Sequence, residues 1–123
     1  MLIENLFNII NKKKIAEGEF LINFNCNANH KIFEGHFPTE PILPGVCMVQ
    51  FVRESIEMLY NKKIKLISSK TVKFIHIIDP RIEQNLVLEL KINYTDNNVY
   101  ETRAIIKNDT TTFFQMRGNY AEF

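Results

Sequence analysis

The stretch "EGHFPTEPILPGVCMVQFV", from Glu34 to Val52, decides how the rest of the chain is read. Three prolines and two glycines make its first half a fixed, irregular loop. Pro44 and Gly45 then open a run of apolar residues broken by one amide, Gln50. Proline and glycine are tolerated at a helix start, where backbone N–H groups lack intrahelical partners. The spacing predicts one long helix from Leu43 to Tyr60. Val46, Cys47, Met48, Val49, Phe51 and Val52 make its first two turns apolar all round, the pattern of a helix buried on every side. Its second half, with Arg53, Glu54, Ser55 and Glu57, is amphipathic and expected nearer water.

Outward from the helix the pattern changes period. Glu19–Asn27 alternates, with Phe20, Ile22, Phe24 and Cys26 on one face, and reads as a strand. Four more strand-like runs follow the helix, at 64–77, 85–94, 98–107 and 111–121. The turns "TDNN" and "KNDT" between the last three are short and polar, as in antiparallel hairpins. At the N-terminus, apolar residues at 2, 3, 6, 7, 9 and 10 suggest a short amphipathic helix, closed by the solvated cluster Lys12–Lys14. Strands and helices that do not alternate argue for an α+β fold, a curled antiparallel sheet of about five to six strands around one central helix. Such a sheet leaves exposed edges, so pairing with a second copy is expected.

The chain has 123 residues, the length of one domain spanning 1–123, and is 46% hydrophobic. A net charge of +1 favours neither nucleic acid nor an anionic membrane as partner. Cys26 and Cys47 lack metal-type spacing, and Cys47 reads as a small core residue. No apolar run approaches the roughly 18 residues of a membrane span, and the expected location is the cytoplasm.

The loop and helix start carry a resemblance. Asn29, Phe33, Gly35, His36, Phe37, Pro38, Pro41, Pro44, Gly45 and Val46 match, in order and spacing, the signature of the FabZ/FabA-type 3-hydroxyacyl-(acyl carrier protein) dehydratases. The later segment "VKFIHIIDPRIEQNLVLEL" (72–90) is similar to a second family segment, with Arg81 where a glycine is usual. The resemblance implies a hotdog fold and elimination of water from a 3-hydroxyacyl thioester, giving the trans-2-enoyl thioester. It implies an acyl carrier protein as substrate bearer, a homodimer or an oligomer of dimers, and no cofactor or metal.

By the same resemblance, His36 takes the α-proton or relays it, and the N–H at Gly45 polarises the thioester carbonyl. Both roles make chemical sense. An imidazole exchanges protons near neutrality, and a helix N-terminus offers oriented donors to a developing oxyanion. The family keeps an acid fourteen positions after the histidine, which here is Gln50. A glutamine often stands four residues further on, where this chain has Glu54. Residues four apart share a helix face about 6 Å apart along the axis, so Glu54 reaches the site through Gln50 or a water. An amide holds a hydroxyl by hydrogen bonds but does not titrate. Phe37, Pro44, Val46, Val49, Phe51 and Phe74 are candidate substrate-binding residues around Gly45. His30 and His76 read as surface or interface groups. Two other readings stay open: an impaired hotdog subunit that binds carrier protein or pairs with an active dehydratase, and, ranked last, an acyl thioesterase.

Overall fold

The computed structural model describes residues 5–35 and 39–123. Strands β1 (Phe7–Ala16) and β2 (Glu19–Cys26) lead to one turn of helix, α1 (Ile32–Gly35). The long helix α2 (Gly45–Tyr60) follows, then β3 (Ile64–Phe74), β4 (Leu86–Tyr94), β5 (Val99–Lys107) and β6 (Thr112–Glu122). All six strands form one antiparallel sheet in the order β1-β2-β4-β5-β6-β3.

The expected N-terminal helix is corrected. Phe7 onward is an edge strand paired to β2, from Phe7 opposite Cys26 to Ala16 opposite Glu19. Residues 1–4 lie outside the description. The misleading signal has a physical origin: the register slips between Ile9 and Asn11 and again between Lys14 and Ala16. A bulge inserts a residue and breaks the two-residue alternation of a strand. Apolar residues at 6, 7, 9 and 10 then mimic a helical period. Gly18 turns the chain into β2 at φ +73°, and a Cβ there would collide with the Ile92 carbonyl oxygen.

The other strands lie within a few residues of expectation. Asn98 closes the β4–β5 hairpin at φ +60°. In the β5–β6 turn the Asn108 side-chain oxygen accepts the N–H groups of Thr110 and Thr111 at 2.9 and 2.7 Å.

Helix α2 starts two residues later than expected, with Pro44 as an extended N-cap at ψ 142°. It ends at Asn61, left-handed at φ +54°. Cys47, Met48, Phe51, Val52 and Ile56 bury its inner face. Phe51 is fully buried, stacked on Phe7 at 4.2 Å and tilted against Phe24 at 4.5 Å. Burial of the helix departs from expectation at both halves, though Cys47, Met48, Phe51 and Val52 are buried as expected. Val46 in the first turn is 74% exposed, whereas Glu54 is 1% exposed and Glu57 is buried. The sheet covers one side of the first turn and leaves the other bare. The carboxylates tolerate burial because each is hydrogen-bonded. Glu57 accepts the Ile64 N–H at 3.0 Å, tying the helix to β3, and Arg53 lies 3.4 Å away.

Edge strand β3 is mostly exposed, and Leu66, Ile67, Val72 and Phe74 on it, with Ile75 and Ile77 beyond, form an apolar strip. Past β3, the Ile78 carbonyl accepts the Leu43 N–H at 2.9 Å, anchoring the proline-rich loop just before α2.

Candidate active site

His36 and Phe37 lie outside the described residues, so the site is built from its two sides. Upstream, α1 carries the chain to Gly35, with Phe33 buried in the core. Downstream, the loop is held by Leu43 and enters α2 at Gly45. The Gly45 N–H belongs to the first turn, whose donors have no intrahelical partner. The residue identity is set by a neighbour: a Cβ at Gly45 would stand 2.7 to 3.1 Å from the Phe74 ring. Phe74 therefore covers the helix start from the end of β3, itself resting on Phe114 at 5.5 Å.

One turn into α2, the Gln50 side-chain N–H donates to a Glu54 carboxylate oxygen at 2.8 Å. The buried carboxylate is thus presented outward through an amide. The Gln50 carbonyl oxygen accepts no hydrogen bond among the described residues, which leaves it able to take one from a hydroxyl or water. Both side chains line a cavity of about 570 Å³ with Val46, His30, Arg53 and Lys63. That volume falls within the usual range for small-molecule sites.

The remaining candidates separate. Val46 lines the cavity, Val49 is half-buried against the core, and Pro44 serves as the N-cap. Phe51 does not line this cavity: its ring is buried in the core between Phe7 and Phe24. Cys47 is buried, and burial pushes its thiol above the ordinary range, away from a nucleophilic thiolate.

His76 is exposed, as expected of a surface group, and His30 is half-buried. The His30 Nδ1 accepts the Ile32 N–H at 3.0 Å, and the ring borders the same cavity as Gln50 and Glu54. The cavity draws residues from positions 5, 30, 46–57 and 63, a convergence only the fold produces. The one local signal was the placement of His30 six residues before His36.

Arg81, the departure from the resembled pattern, has a local explanation. It closes the turn after Pro80 by a two-pronged pair with Asp79, at 3.1 and 2.8 Å. These bonds hold the Asp79 carboxyl below the usual carboxylate range.

Comparison with known proteins agrees with this architecture. Two 3-hydroxyacyl-(acyl-carrier-protein) dehydratases named FabZ are similar in sequence. The one from Rickettsia typhi is 38% identical over 64 residues, 46% of this chain and 44% of the relative. The one from Buchnera aphidicola is 26% identical over 94 residues, 69% of this chain and 62% of the relative. The chain thus matches 44 to 62% of the length of these curated relatives. Among solved structures, a chain of the dehydratase heterocomplex ApeI:P from Xenorhabdus doucetiae superposes with a TM-score of 0.69 at 25% identity, covering 93% of this chain and 96% of that one. The hotdog architecture is therefore the fold of this protein. Residues 11–114 match the ApeI-like family, described as ApeI dehydratase, and the chain belongs to that family of dehydratases.

Proposed function

We propose that this protein removes water from a 3-hydroxyacyl thioester borne on an acyl carrier protein, giving the trans-2-enoyl thioester. The observation that carries the reading is the Gln50–Glu54 hydrogen bond of 2.8 Å, in a cavity beside the bare first turn of α2. His36 takes the α-proton, and the N–H at Gly45 steadies the charge that develops on the thioester oxygen. His36 then passes that proton to the departing 3-hydroxyl, which leaves as water. The Gln50 carbonyl oxygen accepts a hydrogen bond from this hydroxyl, and Glu54 fixes the amide in that orientation. Proton abstraction and return balance within the substrate, so no cofactor enters.

Phe74, at 54% exposed, and Val46 offer apolar surface to the acyl chain or to a partner at the helix start. The bare β3 edge favours pairing with a second hotdog subunit, either a copy of this chain or an active relative. A second reading follows from Gln50 itself. With an amide where the family keeps its acid, this chain works as an impaired subunit whose active partner completes the chemistry.

The test is to incubate the purified protein with a 3-hydroxyacyl carrier protein and follow enoyl product. Product that disappears in His36→Ala supports the first reading. No product alone, with product from Gln50→Glu at about 100-fold or more above background, supports the impaired-subunit reading. No product from either, together with no heterodimer when the protein is mixed with a family enzyme, refutes both.

A further inference from the structure

On the sheet face turned away from α2, three basic residues stand in line across three strands. Lys91 on β4 is the register partner of Arg103 on β5, and Arg103 is the partner of Arg117 on β6. Lys70 joins them at the irregularity of β3 between Ser69 and Thr71, beside Thr71, the β3 partner of Arg117. All four are exposed, and they border a groove of about 520 Å³.

Like charges directly opposite on neighbouring strands oppose sheet pairing. Three carboxylates, Glu17, Glu19 and Glu101, border the same groove, but among the described residues none forms an ion pair with the basic row. Glu89 pairs with Lys107 at 2.9 Å, Glu101 accepts the Asn93 amide at 2.7 Å, and Glu17 pairs with Lys14 at 2.9 Å. Glu19 faces only the Lys91 end of the row. Among the described residues, the side chains of Lys70, Lys91, Arg103 and Arg117 have neither an ion pair nor a hydrogen bond. Two guanidinium groups therefore stand side by side with their donors unspent. That planar fork geometry fits the oxygens of a phosphate, and a second fork in register allows both to close on one group.

We infer that this outer groove binds a phosphate group, clamped by Arg103 and Arg117 with Lys70 and Lys91 on its flanks. The site lies apart from the Gln50–Glu54 cavity, shares no residue with it, and stands or falls independently of the dehydration reading. The phosphate is either free or the terminal group of a soluble organic phosphate.

The experiment is a titration of isotope-labelled protein, read by amide chemical shifts, with sodium phosphate, with adenosine diphosphate as an organic phosphate, and with sodium chloride at matched ionic strength. Saturable shifts centred on β5 and β6 with either phosphate, absent with chloride, are expected. Arg103→Gln or Arg117→Gln weakens them about 10-fold or more. The stronger response of the two phosphate arms identifies the source. Without ligand, either variant raises the melting temperature by about 1–4 °C, because a like-charge neighbour is gone. Equal shifts with chloride, affinity unchanged by both substitutions, or a lowered melting temperature in the ligand-free variants would each overturn the inference.

Discussion

Replacing Gly45 by alanine sets two effects of known sign against each other. A helical glycine replaced by alanine gains about 0.5–1 kcal/mol from reduced backbone freedom in the unfolded chain. Against that, the new Cβ would meet three atoms of the Phe74 ring at 2.7, 2.9 and 3.1 Å. Overpacking of this kind costs about 1–3 kcal/mol. The ring is half exposed and yields partly, so the lower part of that range applies. The net expectation for Gly45→Ala is a loss of about 0.5–1.5 kcal/mol.

In a Phe74→Ala background the obstacle is gone, and the same substitution should reverse sign, stabilising by about 0.5–1 kcal/mol. Urea unfolding of the four proteins of this double-mutant cycle measures a coupling of about 1–2.5 kcal/mol. A cycle that closes additively, with Gly45→Ala equally harmful in both backgrounds, would mean that Phe74 does not set the residue at the helix start.

Other substitutions separate packing from chemistry. Phe51→Ala should cost about 3–5 kcal/mol in urea unfolding, with Phe51→Leu much milder, because the ring fills the core between Phe7 and Phe24. A selective change in acyl-chain preference at unchanged stability would instead return Phe51 to the substrate. Burial pushes the Cys26 thiol up to about 12, so Cys26 should resist a disulfide reagent at pH 8 in the native protein and react once urea unfolds it; rapid native labelling contradicts its burial. The Asp79 carboxyl is held below its ordinary 3.8 by Arg81, so the stability it adds is full above that pH and lost as pH falls through the native value. Thermal melts between pH 2 and 5 should accordingly show a shallower acid loss in Asp79→Asn, and an identical slope would remove the pair from the stability balance.

Much of this was readable before any coordinates. The prolines, glycines and apolar run of 34–52 define the loop and the central helix, and the alternating runs define β2 and the strands after the helix. Strand β1 was not readable, because two bulges erase its alternation. The burial of α2 was readable only in part: Cys47, Met48, Phe51 and Val52 are buried as expected, but Val46, Glu54 and Glu57 are not as expected. Whether Val46 is covered, or Glu54 and Glu57 shielded, depends on which side the sheet and the Ile64 N–H occupy. Position 50 stood out as the lone amide of an apolar run and through the resemblance to the dehydratase signature, whereas His30 reached the cavity only when the fold brought distant segments together.

The anchorage of the proline-rich loop has a mechanical consequence. Leu43 is tied to Ile78, and Gly45 lies beneath Phe74, so the start of the helix is held from both ends of the short segment that leaves β3. That segment continues the exposed edge of the sheet. A subunit that grips this edge also grips the mount of the Gly45 N–H, the donor that the proposed reaction aims at the thioester. Under the proposed reaction, assembly and reactivity share one linkage, and a pairing shifted by one residue would detune the chemistry without touching any residue assigned to it.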